Sequence, residues 1–107
     1  MDTAITDAAS LARSATDPLL DEAQVAAAAF LARYQGRTLE TYRADLRAFF
    51  QWAADVGLEV LAATRPHIEL YVRACEERGL AASTIDRRLS TVCGFYRFAH
   101  IDGRIPS

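Results

Sequence analysis

The stretch Ser83–Ala99, STIDRRLSTVCGFYRFA, places apolar residues at Ile85, Leu89, Val92, Tyr96 and Ala99. Steps of four, three, four and three make one stripe of an α-helix and cannot line one face of a strand, whose side chains alternate. Ser83 is a suitable N-cap, because its hydroxyl can accept from a free N–H of the first turn. Asp86 then brings a carboxylate to the positive end of the helix dipole. At about 100° per residue, Thr84, Arg87, Arg88 and Thr91 fall opposite the stripe. Their donors and hydroxyls suit phosphates and base edges, and a helix is the element that enters a major groove about 12 Å wide. A solvated arginine face on an ordinary core helix would carry the same residues, so the rest of the chain has to decide between the two.

The other segments are helical as well. Asp17-Pro18 is an N-cap followed by proline at the first helical position, and Asp21 and Glu22 add negative charge to that first turn. Leu20, Val25, Ala28, Phe30 and Leu31 supply apolar area, the helix is expected to reach Tyr34, and Gly36 is its stop. A second helix is expected from an N-cap at Thr38, burying Leu39, Tyr42, Leu46, Phe49, Phe50 and Ala53 and ending at Gly57. Arg37, Thr41 and Ala44 lie outside that stripe, Arg43 and Arg47 flank it, and Trp52 is placed to seal against the first helix. After the apolar connector Leu58–Ala63, Thr64 caps a third helix with Pro66 in its first turn and Ile68, Tyr71, Val72 and Cys75 inward. Its outward Glu69, Glu76 and Glu77 argue against a nucleic-acid role, and Gly79 ends it. Met1–Thr16 lacks an apolar period and is expected to be a flexible tail, and residues 102–107 read as a helix stop and the start of a linker. The fold class is therefore all-α, a compact bundle of four helices over residues 17–101.

Length and composition narrow the function. A chain of 107 residues makes one domain with one modest core. The net charge is −2, so the chain as a whole lacks the basic footprint usual for a nucleic-acid binder. The charge is unevenly spread: residues 1–32 hold five acids against one arginine, residues 33–107 eleven arginines against nine acids. All twelve basic residues are arginine, the better bidentate partner for guanine or phosphate, although a GC-rich coding bias would have the same effect. Cys75 and Cys93 form no disulfide framework and are expected to be free thiols in a reducing cytoplasm, with Cys93 packed at the edge of the core. With His67 and His100 they match no zinc spacing, so no metal or cofactor is expected. No secretory signal is visible and no apolar run approaches a membrane span, so no membrane partner is expected.

Thr38–Trp52, TLETYRADLRAFFQW, resembles the first signature of the core-binding domain of tyrosine recombinases, the phage integrase class. Gly79–Ala99 is similar to the second, and Asp102–Pro106, DGRIP, resembles the lead-in to that family's catalytic domain. The likeness spans roughly residues 18–107 in the right order; Cys93-Gly94 departs from the family's usual small-or-leucine then basic pair. The resemblance implies a SAM-like bundle that forms half of a clamp around double-stranded DNA at a recombination core site. Its implied partners are a C-terminal catalytic domain of the same protein and other recombinase protomers on the DNA. By position it implies DNA contacts from Arg37, Thr41, Arg43 and Arg47 on the second helix, and from Ser83, Thr84, Arg87, Arg88 and Thr91 on the fourth.

The family's chemistry needs a tyrosine nucleophile with arginines, a lysine and a histidine. This sequence has no lysine, and His100 and Arg104 are separated by three residues, not two. Tyr34, Tyr42, Tyr71 and Tyr96 all fit apolar stripes or helix ends. No other grouping of nucleophile, base and orienting acid is present, so no catalytic residue is expected here. The competing readings are a SAM-like helical module for protein–protein contacts and a helix-turn-helix regulator. The latter is disfavoured because no helix pair has the tight turn of that motif.

Overall fold

A computed structural model describes residues 21–105. The expectations for Met1–Thr16, for the cap at Asp17-Pro18 and for Pro106 and Ser107 lie outside them. Four α-helices follow in order: α1 (Glu22–Leu31), α2 (Gly36–Val56), α3 (Arg65–Glu77) and α4 (Ala82–Ile101), with a single 3₁₀ turn at Val60–Ala62 between α2 and α3. No strand occurs among the described residues. The fold is all-α.

Local chemistry explains the boundaries, and several differ from the sequence reading. Asp21 itself caps α1: its backbone is extended, and its Oδ1 accepts from the Gln24 N–H at 2.8 Å. The helix stops at Leu31, three residues short of Tyr34. Gly36 does not close α1; it opens α2 with φ of 65°, a left-handed conformation that side chains resist. Thr38 therefore lies inside α2, whose N-cap is Gln35. Gly57 ends α2 as expected, with φ of 73°, and the Leu58 N–H returns to the Ala53 carbonyl at 2.8 Å. Thr64 caps α3 with Pro66 in the first turn, and His67 Nδ1 accepts from the Thr64 N–H at 2.9 Å. The cap of α4 is Ala81, which offers no side-chain acceptor. Ser83 is thus already helical, and Asp86 falls in the second turn.

Helix α4 is the post of the bundle and packs against α1, α2 and α3. Phe30 of α1 meets Phe95 edge-on at 6.1 Å and lies 6.0 Å from Phe98, while stacking on Tyr42 of α2. Phe49 of α2 meets Tyr71 of α3 at 5.0 Å and Tyr96 of α4 at 6.1 Å. Trp52 stacks on Phe49 and lies 5.2 Å from Tyr71, so it seals α2 against α3 and not against α1. The Tyr96 hydroxyl donates to the Val60 carbonyl at 2.6 Å and ties the 3₁₀ turn to α4. Burial pushes that hydroxyl well above the ordinary tyrosine range.

The buried face of α4 is rotated from the sequence reading. Ile85, Thr91, Val92, Phe95 and Ala99 are buried, whereas Leu89 and Tyr96 are half-buried. Leu89 and Cys93 line an open apolar cleft of about 830 Å³ with Ile68, Val72 and Tyr96. Cys93 is exposed and Cys75 is buried, both as free thiols. The rotation follows from Phe95, which packs between Phe30 of α1 and Phe50 of α2 and pulls the inward meridian toward Thr91.

Phe95 is fully buried and Leu89 is not. Phe95→Ala is expected to cost about 3–5 kcal/mol, and Leu89→Ala less than the roughly 2–5 kcal/mol of an enclosed leucine. Urea unfolding followed by far-ultraviolet circular dichroism ranks the two.

Candidate nucleic-acid interface

A buried acid sits at the contact of α2 and α4. Asp45 is only 1% exposed, a position that an unpaired carboxylate could not hold. Arg87 of α4 meets it two-pronged: Nη2 donates to Oδ1 at 2.7 Å and Nε to Oδ2 at 3.2 Å. The Thr91 hydroxyl donates to Oδ2 at 2.8 Å. These bonds raise the Arg87 pKa above its ordinary value. The Arg87 side chain remains 47% exposed, so the pair is half in solvent.

Thr91 therefore leaves the outward face on which the sequence reading placed it: it is 3% exposed with its hydroxyl engaged. The helical spacing placed it opposite Ile85 and Val92, but the rotation described above brings it to the α2 seam. Asp45 was missed by sequence reasoning. The available signal was an acid one helical turn from both Tyr42 and Phe49, on the edge of an apolar stripe.

Next to this seam, Arg47 of α2, Arg78 at the end of α3 and Arg88 of α4 line one cleft of about 400 Å³, floored by Ala44 and Ala48 and walled by Trp52. Arg88 is half-buried; its Nη1 donates to the Tyr71 hydroxyl at 3.5 Å, and its buried Nε has no partner among the described residues. Burial raises the Tyr71 pKa, with Cys75 adding to the shift and Arg88 opposing it. Asp55 is the acid of the cleft and accepts from Gln51 at 3.1 Å. Arg78 was not singled out from the sequence; its only signal was a basic residue just before the Gly79 stop.

The remaining sites divide by helix face. Arg37 and Thr41 precede Ala44 and Ala48 by steps of four and three, so they continue the floor of the cleft toward the start of α2. Arg37 is exposed and Thr41 half-buried. Arg43 turns away and, with the stem of Arg47, lines a second groove against Gln24, Ala28 and Leu31 of α1. Ser83 is exposed and Thr84 half-buried in the first turn of α4. Arg47, Arg78 and Arg88 thus converge, whereas Arg43 does not join them. No helix among the described residues is long and apolar enough to cross a membrane, and no group of three metal-ligating side chains gathers there.

A family model described as the phage integrase N-terminal SAM-like domain matches residues 29–103. The chain belongs to this family. Among curated relatives of this integrase domain, the tyrosine recombinase XerC of Xylella fastidiosa (strain M23) is 38% identical over 69 residues, covering 64% of the chain and 24% of the relative. XerC of Xanthomonas campestris pv. campestris (strain B100) is 33% identical over 99 residues, 86% of the chain and 31% of the relative. The tyrosine recombinase XerD of Brucella abortus biovar 1 (strain 9-941) is 35% identical over 66 residues, 62% of the chain and 21% of the relative. The integrase domain thus spans about a quarter to a third of the length of these relatives. No solved structure matches it.

The seam predicts a contrast between two threonines of α4. Thr91→Val removes a donor from a buried carboxylate and is expected to cost about 1–3 kcal/mol. Thr84→Val, with no such partner among the described residues, is expected to stay within about 0.5 kcal/mol. Denaturant midpoints of the two variants measure the difference.

Proposed function

We propose that this chain is the DNA-binding, core-site-binding domain of a tyrosine recombinase, acting with a separate catalytic domain. The observation that carries the reading is the convergence of Arg47, Arg78 and Arg88 on one cleft between α2, α3 and α4. Three guanidinium groups around an opening supply fixed donors and positive charge for a phosphate backbone. Arg37, Thr41, Ser83 and Thr84 extend that surface along the starts of α2 and α4, and Arg43 reaches flanking phosphates from the α1 side. Arg87 faces the DNA from the seam. Thr91, buried in the seam, serves by holding Asp45 and not by touching DNA.

The strand-cleaving chemistry belongs elsewhere in the protein. The chain has no lysine, Tyr71 is buried, and the Tyr96 hydroxyl is engaged with the Val60 carbonyl. The recombinase partners of the domain are then double-stranded DNA, the catalytic domain and further protomers assembled on the DNA, in the bacterial cytoplasm. A second reading, a SAM-like module for protein contacts, draws on the open apolar cleft formed by Ile68, Val72, Leu89 and Tyr96.

Binding to a mixed-sequence duplex, followed by fluorescence anisotropy, separates the two readings. A single module with a slightly positive working surface is expected to bind with Kd of about 10⁻⁴–10⁻⁶ M. With three to four phosphates neutralised, log K should fall with log salt at a slope of about −2.7 to −3.6. Alanine at Arg47, Arg78 or Arg88 should weaken binding to all sequences and flatten the slope by about one each. Absence of binding at low salt would leave the protein-contact module as the reading. Nicking of supercoiled plasmid by the chain alone would refute the assignment of catalysis elsewhere.

A further inference from the structure

Arg87 differs from the cleft arginines in one respect: its charge is already answered. A guanidinium has five N–H donors. Asp45 takes the Nε–H and one N–H of Nη2, which leaves an outer edge of parallel N–H groups on Nη1 and Nη2. No other hydrogen bond from the Arg87 side chain occurs among the described residues. The carboxylate that holds it cannot swing aside. Asp45 is 1% exposed, sits within helix α2, and its Oδ2 is also held by Thr91. The single proton of the Thr91 hydroxyl goes to Oδ2, and the same oxygen lies 3.2 Å from the Arg87 carbonyl one helical turn back. The fork is therefore fixed in position before any ligand arrives, and the pair as a whole is neutral.

A neutral, fixed pair is a poor phosphate contact, because the counterion release that drives phosphate binding needs an uncompensated cation. It is a good match to a neutral pair of acceptors in one plane. In a major groove, guanine offers such a pair in O6 and N7, and an arginine fork is its usual partner. We propose that Arg87 is the specificity-determining residue of this surface, a guanine-reading fork, and that Asp45 and Thr91 are its positioning residues. This rests on the DNA-binding reading above and adds to it a division of labour: Arg47, Arg78 and Arg88 meet phosphate, and Arg87 meets a base. The carboxylate lowers the cost of recognition in two ways. It fixes rotamers that a free arginine would have to give up on binding, and it withholds the cation from unspecific phosphate contacts.

The test uses two variants that keep the seam occupied. Arg87→Lys retains a cation for Asp45 but has no fork. Asp45→Asn retains the shape of the buried group but frees the charge of Arg87. Each is first checked for a native circular dichroism spectrum and thermal transition. Selection from a fully randomised duplex library is then run with the wild type and both variants, followed by salt titrations on a mixed-sequence duplex. The wild type is expected to enrich a guanine at one position by about tenfold or more, the discrimination typical of a bidentate contact. Arg87→Lys should lose that preference while its salt slope on mixed-sequence DNA stays unchanged. Asp45→Asn should lose it as well, bind mixed-sequence DNA more tightly, and steepen the slope by about 0.9, one extra phosphate. The proposal is overturned, and the DNA-binding reading stands, if the wild type binds without a guanine preference. It is overturned in the same way if Arg87→Lys keeps the preference, or if Asp45→Asn leaves preference and slope as they were. If the wild type binds no duplex at any salt, both fall together.

Discussion

Everything in this bundle leans on α4. Three helices pack on it, and they are not in contact through one common layer: α1 arrives through Phe30 onto Phe95 and Phe98, α3 through Tyr71 by way of Phe49, and α2 through Phe49 and Phe50. A helix that serves three partners has little circumference left for solvent. Its exposed positions are therefore confined to one end and one edge, and the polar groups that remain near the seam must be paired. Asp45, Arg87 and Thr91 meet that requirement together. The cost of burying a carboxylate is offset only because a fork and a hydroxyl reach it at once.

The helical class, the number of described helices and the stops at Gly57 and Gly79 were legible in the sequence, because each rests on short-range chemistry: a period, a cap or a left-handed glycine. The rotation of α4 was not. Leu89 and Phe95 both fit an inward stripe within one helical turn of Val92, and periodicity cannot choose between them; the position of Phe30 and Phe50 on other helices decides. The cap at Thr64 was legible, whereas Asp21, which caps with its side chain, was read as a first-turn acid, and the caps at Gln35 and Ala81, made by backbone geometry alone, gave no signal.

The same division holds for the site. Arg47 was named on the family resemblance and Arg88 on its place opposite the apolar stripe of α4. Arg78 and Asp45 were not, because their meaning is pairwise: Arg78 joins two arginines from other helices, and Asp45 meets partners more than forty residues away. Arg87 and Thr91 were both read as members of the outward polar face, but Arg87 is tethered to Asp45 and Thr91 lies inside.

The make-up of the cleft between α2, α3 and α4 carries a consequence for regulation. Its positive groups are arginine throughout, and the whole chain contains no lysine. Arginine as a residue type stays protonated wherever a protein stays folded, and the two histidines stand elsewhere, His67 at the cap of α3 and His100 in the apolar cleft. In the DNA-binding reading proposed above, a surface without lysine offers no amine for acetylation to neutralise. What remains to adjust it is the ionic atmosphere, or another macromolecule competing for the same opening.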